Sequence, residues 1–105
     1  MPVAGNKLGV LITAGPEQPG FAHALALVRS ARQAGVGVHA YLLDEAVNGL
    51  RRPELFELHT LGAHVFACSL AVQRSGLPWP EHVAPAGLGT LSDLIASTDR
   101  FVSFT

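Results

Sequence analysis

The chain holds one cysteine, Cys68, and five histidines, His23, His39, His59, His64 and His82. These are the side chains that ionise or ligate nearest neutral pH. Cys68 follows the apolar run His64-Val65-Phe66-Ala67 and opens Ser69-Leu70-Ala71-Val72-Gln73-Arg74, which has helical spacing. The thiol is therefore expected at a strand-to-helix junction. In the first turn of a helix, unpaired backbone N–H groups and the positive end of the dipole favour the thiolate, the form that attacks sulfur electrophiles. The competing reading is a small buried apolar side chain. Arg74 sits nearer the other end of that helix and reaches the sulfur only by folding back.

Three other constellations carry less. His59, His64 and Cys68 are close in sequence, but the predicted elements put His59 on a helix and His64 and Cys68 at opposite ends of a strand, roughly 13 Å apart at strand rise, so no metal site is expected from them. Gly15-Pro16-Glu17-Gln18-Pro19-Gly20 lies where phosphate-binding loops occur, yet it lacks G-x-G-x-x-G and G-K-[ST], and its prolines remove N–H donors. A rigid turn is the expectation, with Gln18 or a backbone N–H there as a possible lining of the cysteine's crevice. Ser69, His64 and Asp44 have the residue types of a hydrolase triad, but no G-x-S-x-G elbow is present.

The elements that must position Cys68 follow from the hydrophobic pattern. Lys7 to Thr13 is apolar and rich in β-branched residues and stops at Ala14-Gly15-Pro16, as a buried strand should. From Gly20 a helical stripe of Phe21, Leu25 and Val28 runs to a stop at Gly35. Val38 to Leu43 is a second strand, and Asp44 is expected to cap a short turn through Glu45-Ala46-Val47. Pro53 opens a helix with Leu55, Leu58 and Leu61 as its stripe and Gly62 as its stop. His64 to Ala67 is the third strand, and the helix after it stops at Gly76.

Leu77 to Gly89, with three prolines around Trp79, is an irregular stretch. It is a candidate rim for a docking surface, weighed against simple packing of Trp79 on its own subunit or at an oligomer interface. Thr90 and Asp93 have capping-box spacing ahead of Leu91, Leu94 and Ile95, and Phe101 to Phe104 reads as the closing strand. Alternating strands and helices predict a three-layer α/β domain, with a mostly parallel sheet covered by helices on both faces. In such sheets, reactive groups gather at the carboxyl ends of the strands, where Cys68 falls.

The stretch Leu61 to Leu77 (LGAHVFACSLAVQRSGL) resembles the segment around the reactive cysteine of the DsrE/DsrF/TusD-like sulfur-relay family, in which a strand ends in Cys and a short helix follows. YLLDEAVNGL (Tyr41 to Leu50) is similar to that family's strand and Asp-x-x-Val-like turn, and GLGTLSDLIASTDRFVSF to its last helix and edge strand. The resemblance rests on the order of these motifs and the place of the one cysteine, and it spans nearly the whole chain. It implies a single DsrE-like domain over residues 1–105, a five-stranded sheet and assembly into trimers or hexamers. It further implies that Cys68 carries sulfane sulfur as a persulfide between donor and acceptor proteins, without a cofactor. Only Cys68 carries over as a site residue. Four strands are legible, and the fifth must lie in or near Glu81 to Pro85. Some members of this fold lack a working cysteine, so a catalytically silent oligomeric scaffold is the alternative, followed by a small-molecule binding module at the sheet's carboxyl edge.

Composition narrows the classes. Seven Lys plus Arg against eight Asp plus Glu provide no basic field for nucleic acid or anionic membrane. Hydrophobic residues make up 49% and charged residues 14%, against about 25% charged in a typical domain, so disorder is excluded and burial between subunits is expected. One cysteine excludes a disulfide framework and fits a cytoplasmic setting. The N-terminal run is too short for a signal peptide, and no run of about 20 apolar residues is available to cross a bilayer.

Overall fold

The computed structural model describes residues 5–105. The first four residues, part of the segment read above for a signal peptide, lie outside the described residues. Five strands, β1 (Lys7–Ile12), β2 (Gly37–Leu42), β3 (His64–Cys68), β4 (Ala84–Ala86) and β5 (Arg100–Phe104), form one sheet in the order β4-β3-β2-β1-β5. All four pairings are parallel. Four helices connect them: α1 (Pro19–Gln33), α2 (Pro53–Thr60), α3 (Ser69–Ser75) and α4 (Leu88–Ser97), with a 3-10 helix at Asp44–Gly49.

The strand order dictates the layers. From β1 to β4 the chain steps in one direction across the sheet, so right-handed crossovers send α1, α2 and α3 to one face. The return from β4 to β5 runs the other way and puts α4 on the opposite face. The first face is the main core. Val10, Ile12, Val38, Ala40, Leu42, Val65 and Ala67 pack beneath Phe21, Ala24, Leu25 and Val28 of α1 and Leu55 and Leu58 of α2. Full burial of each large side chain contributes about 1.5–3 kcal/mol. The second face holds a smaller cluster of Tyr41, Cys68, Ala86 and Leu94, edged by the partly exposed Leu11, Leu43, Phe66 and Phe101.

The helix signals in the sequence are largely realised. Pro19 and Pro53 stand in the first turns of α1 and α2, and Gly35, Gly62 and Gly76, all at positive φ, follow α1, α2 and α3 as left-handed stops. Two caps differ. Asp44 takes φ 54 and its side chain makes no capping bond; the 3-10 helix starts from Leu43 instead. Asp tolerates the left-handed region, and here it turns the chain rather than capping it. The Thr90/Asp93 box also does not form, because α4 begins three residues earlier, from Gly87, leaving Thr90 inside the first turn. The fifth strand is Ala84–Ala86, at the edge next to β3. Pro85 is tolerated there because an edge strand leaves one row of N–H positions unpaired.

Gly9 on β1 is sterically required. A Cβ there would run into the Phe101 ring of β5 and the Thr98 hydroxyl.

Candidate functional site

Cys68 is the last residue of β3 and the residue from which α3 starts. The predicted junction is present, with the thiol just outside the helix rather than within its first turn. His64, Phe66 and Cys68 alternate onto the second face, so Cys68 stands at the sheet's carboxyl edge, level with Ala86 on β4. It is 8% exposed.

Tyr41 on β2 and Cys68 on β3 belong to the same buried cluster. The tyrosine is wholly buried, and its hydroxyl lies 3.1 Å from the Gly87 carbonyl and 3.3 Å from the Ala86 carbonyl. Its pKa is pushed up to about 12, first by burial and then by the nearby Cys68 side chain. The phenol thus remains a donor across the physiological range. The Ser69 hydroxyl donates to the same Ala86 carbonyl at 3.4 Å. Two hydroxyls therefore tie the β4-to-α4 turn across the cysteine.

The remaining predicted residues disperse. The Gln18 side-chain oxygen accepts from the Gly15 N–H at 2.7 Å, and Gly15 lies against Glu45. Gln18 therefore closes its own turn, and nothing joins it to Cys68. His64 stacks on His39 with centroids 4.8 Å apart, at the opposite end of β3 from the thiol. His39 is held below the usual histidine range by burial, then by His64 and Lys7. Among the described residues no group of three or more His, Cys, Asp or Glu side chains could hold a metal ion. Trp79 packs against the main core and donates to the Val83 carbonyl at 2.6 Å, so it is anchored on its own subunit.

Two features were not read from the sequence. Tyr41 is one; a lone tyrosine in the buried strand Gly37–Leu42 was the available signal, since a buried hydroxyl needs partners. The other is an open cavity of about 640 Å³ between α2 and the Pro78–His82 segment, walled by Arg51, Phe56, His59, Trp79 and His82.

No family model and no curated protein matches the chain. Solved structures do. The YchN protein from E. coli superposes with a TM-score of 0.80 over 94% of this chain and 99% of its own, at 19% identity. BT1422 from Bacteroides thetaiotaomicron, described as a conserved protein of unknown function, gives 0.77 over 94% and 95%, at 15% identity. The fold is DsrE-like. In this fold the all-parallel sheet, the lone α4 on the second face and the cysteine at the carboxyl edge of β3 form one geometric unit. No helix is long and apolar enough to cross a membrane among the described residues.

Proposed function

We propose that the protein is a sulfur-relay carrier that holds sulfane sulfur as a persulfide on Cys68. The observation that carries this reading is the place of the only cysteine: it ends β3 at the carboxyl edge of a parallel sheet, on the thinly covered face, in one buried cluster with Tyr41. The Tyr41 hydroxyl donates to the Gly87 and Ala86 carbonyls and so fixes the turn beside the sulfur.

The exchange is redox-neutral overall. The Cys68 thiolate attacks the outer sulfur of a donor persulfide, R–S–SH; the new S–S bond forms as the donor's breaks, and the donor leaves as its thiolate. An acceptor thiolate then attacks the outer sulfur of Cys68–S–SH and releases the Cys68 thiolate. No metal or organic cofactor is called for. The partners are donor and acceptor proteins, in a reducing cytoplasmic setting. A homo-oligomer, trimer or hexamer, is part of the proposal. It is supported by the face that α4 leaves thinly covered and by Leu88 and Ile95 of α4, exposed at 62% and 51%.

Intact-mass spectrometry after incubation with a persulfide donor tests the reading. The wild type gains about 32 Da, one sulfur, and Cys68→Ser gains nothing. The 8% exposure of Cys68 favours a second reading, a silent scaffold of the same fold. Under that reading no mass is gained, and Cys68 resists alkylation until the protein is unfolded.

A further inference from the structure

Tyr41 reaches past its own neighbour in the sheet. It stands on β2 in register with Phe66 of β3, yet its hydroxyl meets the carbonyls of Ala86 and Gly87 at the end of β4, on the far side of β3. Adjacent strands lie about 4.8 Å apart, so a side chain on β2 that hydrogen-bonds at β4 must bridge about 10 Å and cross over β3 on the way. Cys68 belongs to the cluster on that same face and stands in register with Ala86. The phenol is therefore a strap across the strand that ends in the thiol. The Ser69 hydroxyl adds a second tie to the Ala86 carbonyl from the residue after the cysteine. Behind these ties Cys68 is 8% exposed, and displacement at or by a sulfur depends on open access to it.

What the strap holds is built to move. β4 is a three-residue edge strand, paired on one side only, and its Ala84 and Pro85 are exposed. At the start of α4, Gly87 and Gly89 flank Leu88, which is exposed at 62%, and a Cβ on either glycine would meet nothing within 4 Å. The junction thus has backbone freedom and open space beside it. The ties are long, at 3.1, 3.3 and 3.4 Å, against about 2.7–2.8 Å for a common O–H···O bond, and the phenol divides one proton between two carbonyls. We propose that Tyr41 and Ser69 form a latch that holds the β4-to-α4 turn closed beside Cys68, and that the thiol reacts from a locally open state in which the turn has moved away. Tyr41 is a positioning residue here: it acts on access to the sulfur. As a control on sulfur transfer the latch rests on the relay reading above; as a property of the thiol it is tested without it.

The test is alkylation of the full chain by iodoacetamide, in which the Cys68 thiolate displaces iodide, followed by intact mass at urea concentrations below the unfolding transition. Local opening exposes little surface, so its rate stays nearly flat in urea, whereas a route through global unfolding rises about fivefold per molar. The wild type is expected on the flat branch, at least about tenfold slower than the urea-unfolded chain. Tyr41→Phe should react about three- to tenfold faster and Ser69→Ala about twofold faster, both still on the flat branch. The urea slope separates the latch from any loss of global stability, and Ser69→Ala carries the test if Tyr41→Phe does not fold. A thiol that reacts as fast as in the unfolded chain, a rate that follows global unfolding, or variant rates equal to wild type overturns the latch. So does a rate that rises on dilution, since a neighbouring subunit is then the cover. Persulfide loading is read separately: gated alkylation without a gain of one sulfur keeps the latch and sinks the relay, and loading with ungated alkylation does the reverse.

Discussion

Tyr41 and Cys68 pack in one buried cluster across two adjacent strands, and the Tyr41 hydroxyl lies within 3.3 Å of the carbonyls of Ala86 and Gly87. One buried O–H thus links β2 to the β4-to-α4 turn beside the only thiol in the chain.

Tyr41→Phe removes that donor while keeping the ring. Two carbonyls lose a buried partner, and stability should fall by about 1–2 kcal/mol in urea denaturation.

Gly9→Val should loosen β5. The added carbons meet the Phe101 ring and the Thr98 hydroxyl, and overpacking of this kind costs about 1–3 kcal/mol. Hydrogen exchange should show the loss at residues 100–104 before the β2–β3 pair, because β5 is the edge strand that the clash pushes outward.

Acid should weaken the fold through His39. Its folded pKa is below the unfolded value of 6.5, by burial first and then by the charges of His64 and Lys7. Between the folded value and 6.5 the unfolded chain binds more protons, so stability rises with pH. The contribution is complete above about pH 6.5 and is lost as pH falls below it. Urea midpoints measured from pH 7.5 to 5 should fall, and His39→Gln should make the slope shallower.

Ile95→Glu and Leu88→Asp place charge on the exposed apolar positions of α4. Light scattering behind a sizing column should show the wild type as an oligomer and the double variant shifted toward monomer, with the circular dichroism unchanged. A wild type that elutes as a monomer at all concentrations would remove the assembly from the proposal.

Much of the architecture was legible in one dimension. The runs Lys7 to Thr13, Val38 to Leu43 and His64 to Ala67 are short, apolar and bounded by Gly, Pro or Asp, and parallel strands buried on both faces have that composition. Helix stops at Gly35, Gly62 and Gly76 were legible because few other residues take a left-handed turn cheaply. The placement of Cys68 followed from these local rules. What failed was also local in cause: the Asp44 and Thr90 caps were assigned from residue type, and one residue of left-handed backbone or an earlier helix start cancels such a bond. β4 has three residues, one of them proline, and only its pairing with β3 marks it as a strand.

Sequence alone therefore determined the α/β alternation, the parallel sheet and the junction that holds the thiol, because hydrophobic period and turn chemistry act over a few residues. Tertiary structure alone decided that Cys68 is nearly covered, that Tyr41 is its neighbour and that His82 meets His59 rather than His64. Those relations join residues separated by 23 to 27 positions, and they follow from strand order and crossover hand, which no local pattern encodes.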